Sequence, residues 1–115
     1  MAKILLVDDD KTTLLVMKST LEQGGHDVFT TTDGIYVEEM IQSNTPDLVI
    51  TDIVMEEQEG VETVLQIKEK HPDLPILVMS SHDDYLNMIK GFEINNTISK
   101  PIDKDTLLLT VNSLV

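Results

Sequence analysis

Five short apolar runs recur along this chain, and segments of about ten to fifteen residues with helical patterning separate them. The runs cover 3–7, 27–31, 47–51, 75–79 and 96–99. Strands alternating with helices predict βα units, whose right-handed crossovers place helices on both faces of one parallel sheet. The second run, Asp27-Val28-Phe29-Thr30-Thr31, is short and the weakest strand, and is expected at an edge. Helices are expected over 10–23, 34–43, 60–70, 83–92 and 103–114. The first puts Leu14, Met17 and Leu21 on one face and stops at Gly24-Gly25. The second turns Val37, Met40 and Ile41 inward, with Pro46 beyond its end. The third carries a stripe of Val61, Val64, Leu65 and Lys68 and ends at His71-Pro72. The fourth is capped by Asp83 or Asp84. The fifth is capped near Asp103 and buries Leu107, Leu108 and Val111.

This pattern in 115 residues fits one α/β domain. Aromatics make up only 3% of the chain, so the core is aliphatic, with Met55, Met79 and Met88 as fillers. The absence of cysteine excludes a disulfide framework or thiolate metal site and is compatible with a reducing cytoplasm. No segment approaches the roughly 18 apolar residues of a membrane span, and no basic region precedes a long apolar stretch as in a signal peptide. Net charge is −13, from 21 acidic and 8 basic residues. Such a surface repels phosphate backbones, so direct nucleic-acid contact is not expected; most of the charge serves solubility. There is no repeat, low-complexity tract or linker. The last residues, Ser113-Leu114-Val115, end in or just after an apolar helix, which suggests an N-terminal domain excised from a longer protein or a compact standalone one.

The chemically useful residues fall just past the apolar runs: Asp8 and Asp9 after the first, Asp52 after the third, Ser80 after the fourth, Lys100 after the fifth. In open parallel sheets, ligands bind in the crevice beyond the carboxyl ends of the strands. Three carboxylates, a hydroxyl and an ammonium would meet there. Taken singly, an Asp pair after a strand is often a helix N-cap, and Asp10 is expected to be only that. A second acidic strand end changes the balance. Oxygen ligands without imidazole or thiolate suit Mg2+ (or Mn2+). Lys100 is the one cation facing these acids, and its bond to Pro101 is a candidate cis peptide. Ser80 alone would be an ordinary loop serine.

Together the motifs resemble the receiver domain of bacterial response regulators. They are Ile4-Leu5-Leu6-Val7-Asp8-Asp9-Asp10, then Pro46-Asp47-Leu48-Val49-Ile50-Thr51-Asp52-Ile53-Val54-Met55 followed by Gly60, then Pro75-Ile76-Leu77-Val78-Met79-Ser80-Ser81, and Ser99-Lys100-Pro101. The likeness covers essentially the whole chain. It implies a five-stranded doubly wound sheet of flavodoxin-like order 2-1-3-4-5. It implies Asp52 as phosphoacceptor. Asp8, Asp9, Asp52 and the backbone carbonyl of Val54 are implied as the metal set, Asp9 binding directly and Asp8 mainly through water. Ser80 and Lys100 are implied as contacts of the phosphoryl group. The implied donor is a phosphohistidine on a sensor histidine kinase or histidine phosphotransfer protein. The implied output is a downstream effector domain or protein, with phosphorylation-dependent dimerisation through the fourth helix and last strand left open.

The chain departs from that family in places. Thr97 stands where many receivers carry an aromatic ring. Glu56 replaces the usual Pro and Gln58 an apolar residue, so Glu56, Glu57 and Glu59 add charge beside the site. Glu93-Ile94 replaces a common Gly-Ala. Val54 and His82 lie two positions past Asp52 and Ser80, where side chains influence acyl-phosphate lifetime; His82 either orients water or covers the site. His26 and His71 read as surface residues near helix ends. Competing readings are a pseudo-receiver that only binds partners, and an aspartyl-nucleophile phosphatase. The phosphatase wants a second Asp where Val54 stands, so turnover hydrolysis is not expected. A flavin or nucleotide binder would want a Gly-rich loop after the first strand, where this chain has Asp8-Asp9-Asp10.

Overall fold

The computed structural model describes residues 2–52, 60–81 and 96–115. Strands β1 (Lys3–Val7), β2 (Asp27–Thr31), β3 (Leu48–Asp52), β4 (Ile76–Ser80) and β5 (Thr97–Ser99) form one sheet in the order β2-β1-β3-β4-β5. All four pairings are parallel. This is the doubly wound α/β architecture that the alternation predicts, with β2 at an edge as expected.

Strands β3 and β4 lie one residue later than their apolar runs suggest. Asp47 is taken up in bracing β1: its N–H donates to the Lys3 carbonyl at 2.7 Å, and its Oδ2 accepts the Lys3 N–H at 2.9 Å. Pro75 has no N–H to give a ladder, though its carbonyl accepts from Val49 at 3.0 Å. The shift makes Asp52 and Ser80 the final strand residues rather than the first beyond them.

Helices α1 (Lys11–Gln23), α2 (Val37–Asn44), α3 (Gly60–Lys70) and a C-terminal helix (Lys104–Leu114) flank the sheet. The helix expected over 34–43 opens instead as a 3-10 turn, Gly34–Tyr36, because the Asp33 carboxylate accepts the Ile35 N–H at 3.0 Å and caps there. Asp10 caps α1 and Asp103 caps the C-terminal helix through the Thr12 and Thr106 N–H groups, as expected. The expected fourth helix, 83–92, lies outside the described residues.

Strand alternation divides the core into two layers. Ile4, Leu6, Leu48, Ile50, Leu77 and Met79 pack with Leu14, Met17 and Leu21 of α1 and Leu107 and Val111 of the C-terminal helix. Leu5, Val7, Val49 and Val78 pack on the other face with Val37 and Ile41 of α2 and Val64 and Ile67 of α3. The α3 stripe differs from its expectation. Thr63, Val64 and Ile67 are buried, Leu65 is partly buried, Lys68 is half-buried, and the Val61 side chain lies outside the described residues. Met79 is a core filler as expected, while Met55 and Met88 fall outside the description. At the end of α1, a Cβ on Gly24 would lie 2.7 Å from Leu108 Cδ2 of the C-terminal helix, so a larger residue there would make the Leu108 side chain shift. Gly25 follows with φ +92°, a backbone region that favours glycine.

Candidate functional site

The register brings the predicted residues to one edge. Val7 pairs with Thr51, so Asp8 and Asp52 follow on adjacent strands, and Ser80 pairs with Ser99, which places Lys100 beside them. Asp8 is fully buried, and Asp52 and Ser80 are nearly so, whereas Asp9 is exposed. Oxygens of Asp8, Asp9 and Asp52 lie within 4.8 Å of one another. The Lys100 ammonium bridges two of these acids, donating to Asp8 Oδ2 at 2.7 Å and to Asp52 Oδ2 at 2.6 Å. Its backbone N–H donates to the Ser80 carbonyl at 2.9 Å, tying β5 to β4 at the site. The Lys100–Pro101 bond is cis, as the sequence allowed.

Electrostatics explain the arrangement. Burial works against the Lys100 charge, but the hydrogen bonds and negative charges of Asp52 and Asp8 outweigh it and raise its pKa. Two carboxylates about 4 Å apart repel by about 4 kcal/mol at the effective dielectric of a protein site. The Lys100 ammonium offsets this for Asp8 and Asp52. The donors are all hard oxygens, with no imidazole or thiolate among them. That set fits a divalent cation such as Mg2+.

Asp8 is held on both sides. Its Oδ1 accepts the Asp10 backbone N–H at 3.0 Å while Oδ2 takes Lys100. The Asp10 side chain spans the first turn of α1, accepting from the Thr13 hydroxyl at 2.9 Å and the Thr12 N–H at 3.0 Å. The Thr13 bond, then the Thr12 bond, lowers the Asp10 pKa. Beside the Asp52 carboxylate, the buried Thr51 hydroxyl donates to the Asp52 backbone carbonyl at 3.0 Å. Thr97 is half-buried in β5 opposite Val78. The Val54 carbonyl, Glu56, Glu57, Gln58, Glu59, His82, Glu93 and Ile94 lie outside the described residues.

The histidines correct the sequence reading. His26 is buried at the opposite edge of the sheet rather than on the surface. The Ala2 N–H donates to its Nδ1 at 3.1 Å, and its Nε2 meets Asn112 Oδ1 at 3.1 Å. His71 is partly buried, its Nε2 3.0 Å from Glu38 Oε1, and it joins the end of α3 to α2. The Gln42 hydrogen bond lowers the Glu38 pKa, and the bond to His71 helps it outweigh the opposing cost of burial. No local signal marks His26, because its partner Asn112 is 86 residues away.

Comparison with known proteins agrees with this geometry. Residues 4–112 match the response regulator receiver domain family, and the chain belongs to that family. It is thus a receiver domain, the class of module that response regulators use in two-component signalling. Among its relatives is the DNA-binding transcriptional regulator NtrC of Rhizobium meliloti, 34% identical over 93% of this chain and 22% of that protein. Another is the response regulator MprA of Mycobacterium sp. strain KMS, 30% identical over 98% of this chain and 50% of that protein. The chain therefore spans between about a fifth and a half of these relatives. The chemotaxis protein CheY4 of Vibrio cholerae superposes with a TM-score of 0.88 at 27% identity, covering 100% of this chain and 99% of its own. A Clostridium thermocellum receiver domain also gives 0.88, at 28% identity over 99% of this chain and 94% of its own.

Proposed function

We propose that this domain accepts a phosphoryl group on Asp52 from a phosphohistidine donor on a sensor histidine kinase or histidine phosphotransfer protein. The observation that carries the reading is the Asp52 carboxylate at the carboxyl edge, 2.6 Å from the Lys100 ammonium and clustered with Asp8 and Asp9. Asp8, Asp9, Asp52 and the Val54 backbone carbonyl would hold Mg2+ or Mn2+. The bound cation supplies positive charge that offsets the phosphoryl oxygens.

An Asp52 oxygen attacks phosphorus in line with the leaving imidazole nitrogen. The P–N bond breaks, its electron pair stays on the imidazole, and an aspartyl phosphate forms. Lys100 exchanges its bond to Asp52 for one to a phosphoryl oxygen and so stabilises the developing charge. The Ser80 hydroxyl donates to another. These two shifts favour one of two pre-existing conformations and change a partner-binding face, which an effector domain or protein reads. Hydrolysis of the aspartyl phosphate is slow, because Val54 offers no side chain to activate water; the domain is an acceptor and not a turnover enzyme. This chemistry belongs in the cytoplasm, where kinase and effector reside. Among the described residues no helix is long and apolar enough to cross a membrane.

Intact mass after incubation with Mg2+ and acetyl phosphate tests the reading. Wild type is expected to gain one phosphoryl adduct, and Asp52→Asn or chelated protein none. An adduct that persists in Asp52→Asn would overturn the assignment of the acceptor. Equal adduct after chelation would remove the metal from the reaction.

A further inference from the structure

Asp10 caps a helix, and the mechanism above gives it no further part. Its hydrogen bonds connect that cap to the site. One carboxylate serves two donors on the first turn of α1, the Thr12 N–H and the Thr13 hydroxyl. With its side chain pinned, the Asp10 backbone N–H points at Asp8 Oδ1, 3.0 Å away. Asp8 in turn presents its other oxygen to Lys100, which reaches Asp52. A continuous run of hydrogen bonds thus links Thr13, on the helix, to the phosphoacceptor, on β3.

We infer that Asp10, fastened by Thr13, is a positioning residue for the metal site. Its cap fixes the turn between β1 and α1 so that Asp8 is held from one side and Asp9, between them in sequence, is set toward the cation. The inference rests on Asp8, Asp9 and Asp52 being the metal set. A buried carboxylate with one oxygen pinned by a backbone N–H and the other by an ammonium has little freedom to turn. Removing the pin releases both Asp8 and the backbone that carries Asp9. Groups that orient metal ligands typically change affinity by about 10- to 100-fold when lost. A single backbone donor belongs at the lower end of that range.

The test is the Mg2+ dissociation constant by isothermal titration for wild type, Asp10→Ala, Asp10→Ser, Asp10→Asn, Thr13→Val and Asp9→Asn. All variants are measured at a temperature where circular dichroism shows them folded. Asp10→Ala is expected to bind Mg2+ about tenfold more weakly, and Thr13→Val a few-fold more weakly. Asp10→Ser and Asp10→Asn, which keep a cap acceptor but no charge, are expected to recover most of the loss. If Asp10→Ala lowers the melting temperature but leaves Mg2+ affinity unchanged, the residue is only a helix cap and the inference fails. If all three Asp10 variants weaken binding equally, charge rather than positioning is responsible, and the inference fails as well. If wild type binds no Mg2+, or Asp9→Asn binds as wild type does, the assignment of the metal set itself is overturned.

Discussion

The two ends of the sheet gather polar groups in different ways. At the amino edge, His26, Asn112, Asp47 and the backbone of Ala2 and Lys3 pair donor with acceptor. At the carboxyl edge, Asp8 and Asp52 share the Lys100 ammonium, and Asp9 lies close beside them. The first arrangement is complete within the chain. The second gathers three carboxylates whose oxygens lie within 4.8 Å of one another, a donor set that could hold a divalent cation. Both clusters contain a buried titratable residue, His26 at one end and Asp8 at the other, so burial alone does not distinguish them; the clustering of like charges does.

Substitutions at each end sharpen that contrast. The largest stability change is expected for Lys100→Ala, which leaves Asp8 and Asp52 clustered without the ammonium they share. Breaking a buried ion pair costs about 3–5 kcal/mol, read as a lower urea midpoint in metal-free buffer. Added Mg2+ should recover a larger share of this loss than it adds to wild type. A variant as stable as wild type would show that the acids are not strained without their cation.

His26→Ala is expected to cost less, about 1–3 kcal/mol for the donor and acceptor it leaves unpaired. Its Mg2+ affinity and phosphorylation should match wild type. A weakened metal site in this variant would break the division between the two ends.

Alkaline titration should have the smallest effect. The folded pKa of Lys100 is raised above the ordinary lysine value of 10.5. Its pairing therefore contributes fully below that value and is lost as pH rises through the folded pKa. Urea midpoints followed from about pH 8 to about pH 11 should fall more steeply for wild type than for Lys100→Met. Parallel curves would remove the ion pair from the stability of this edge.

Much of this was legible in the sequence for a physical reason. A strand end is where the apolar run stops, so Asp8, Asp52, Ser80 and Lys100 announced themselves by standing just past those runs. Caps were legible because Asp10 and Asp103 precede helical stripes. Pairings that depend on distant segments were not. His26 beside Gly25 reads as a turn residue until the C-terminal helix brings Asn112 to it. The inner face of α3 shifted to include Ile67, because it is the approach to the sheet, and not helical spacing alone, that selects the buried stripe. The bond from Asp10 to Asp8 uses a backbone donor, which every residue but proline owns and no side-chain pattern can flag.

The position of β5 carries one more consequence. Among the described residues it is a three-residue edge strand paired with β4, whereas Asp8 and Asp52 stand at the ends of β1 and β3 in the middle of the sheet. Backbone amides of central strands exchange with solvent only on large-scale opening, and those of short edges exchange through local fraying. Read as a clock, the domain has a slow half and a fast half. Amides of β1 and β3 are therefore expected to exchange more slowly than those of β5, which hydrogen exchange would read directly.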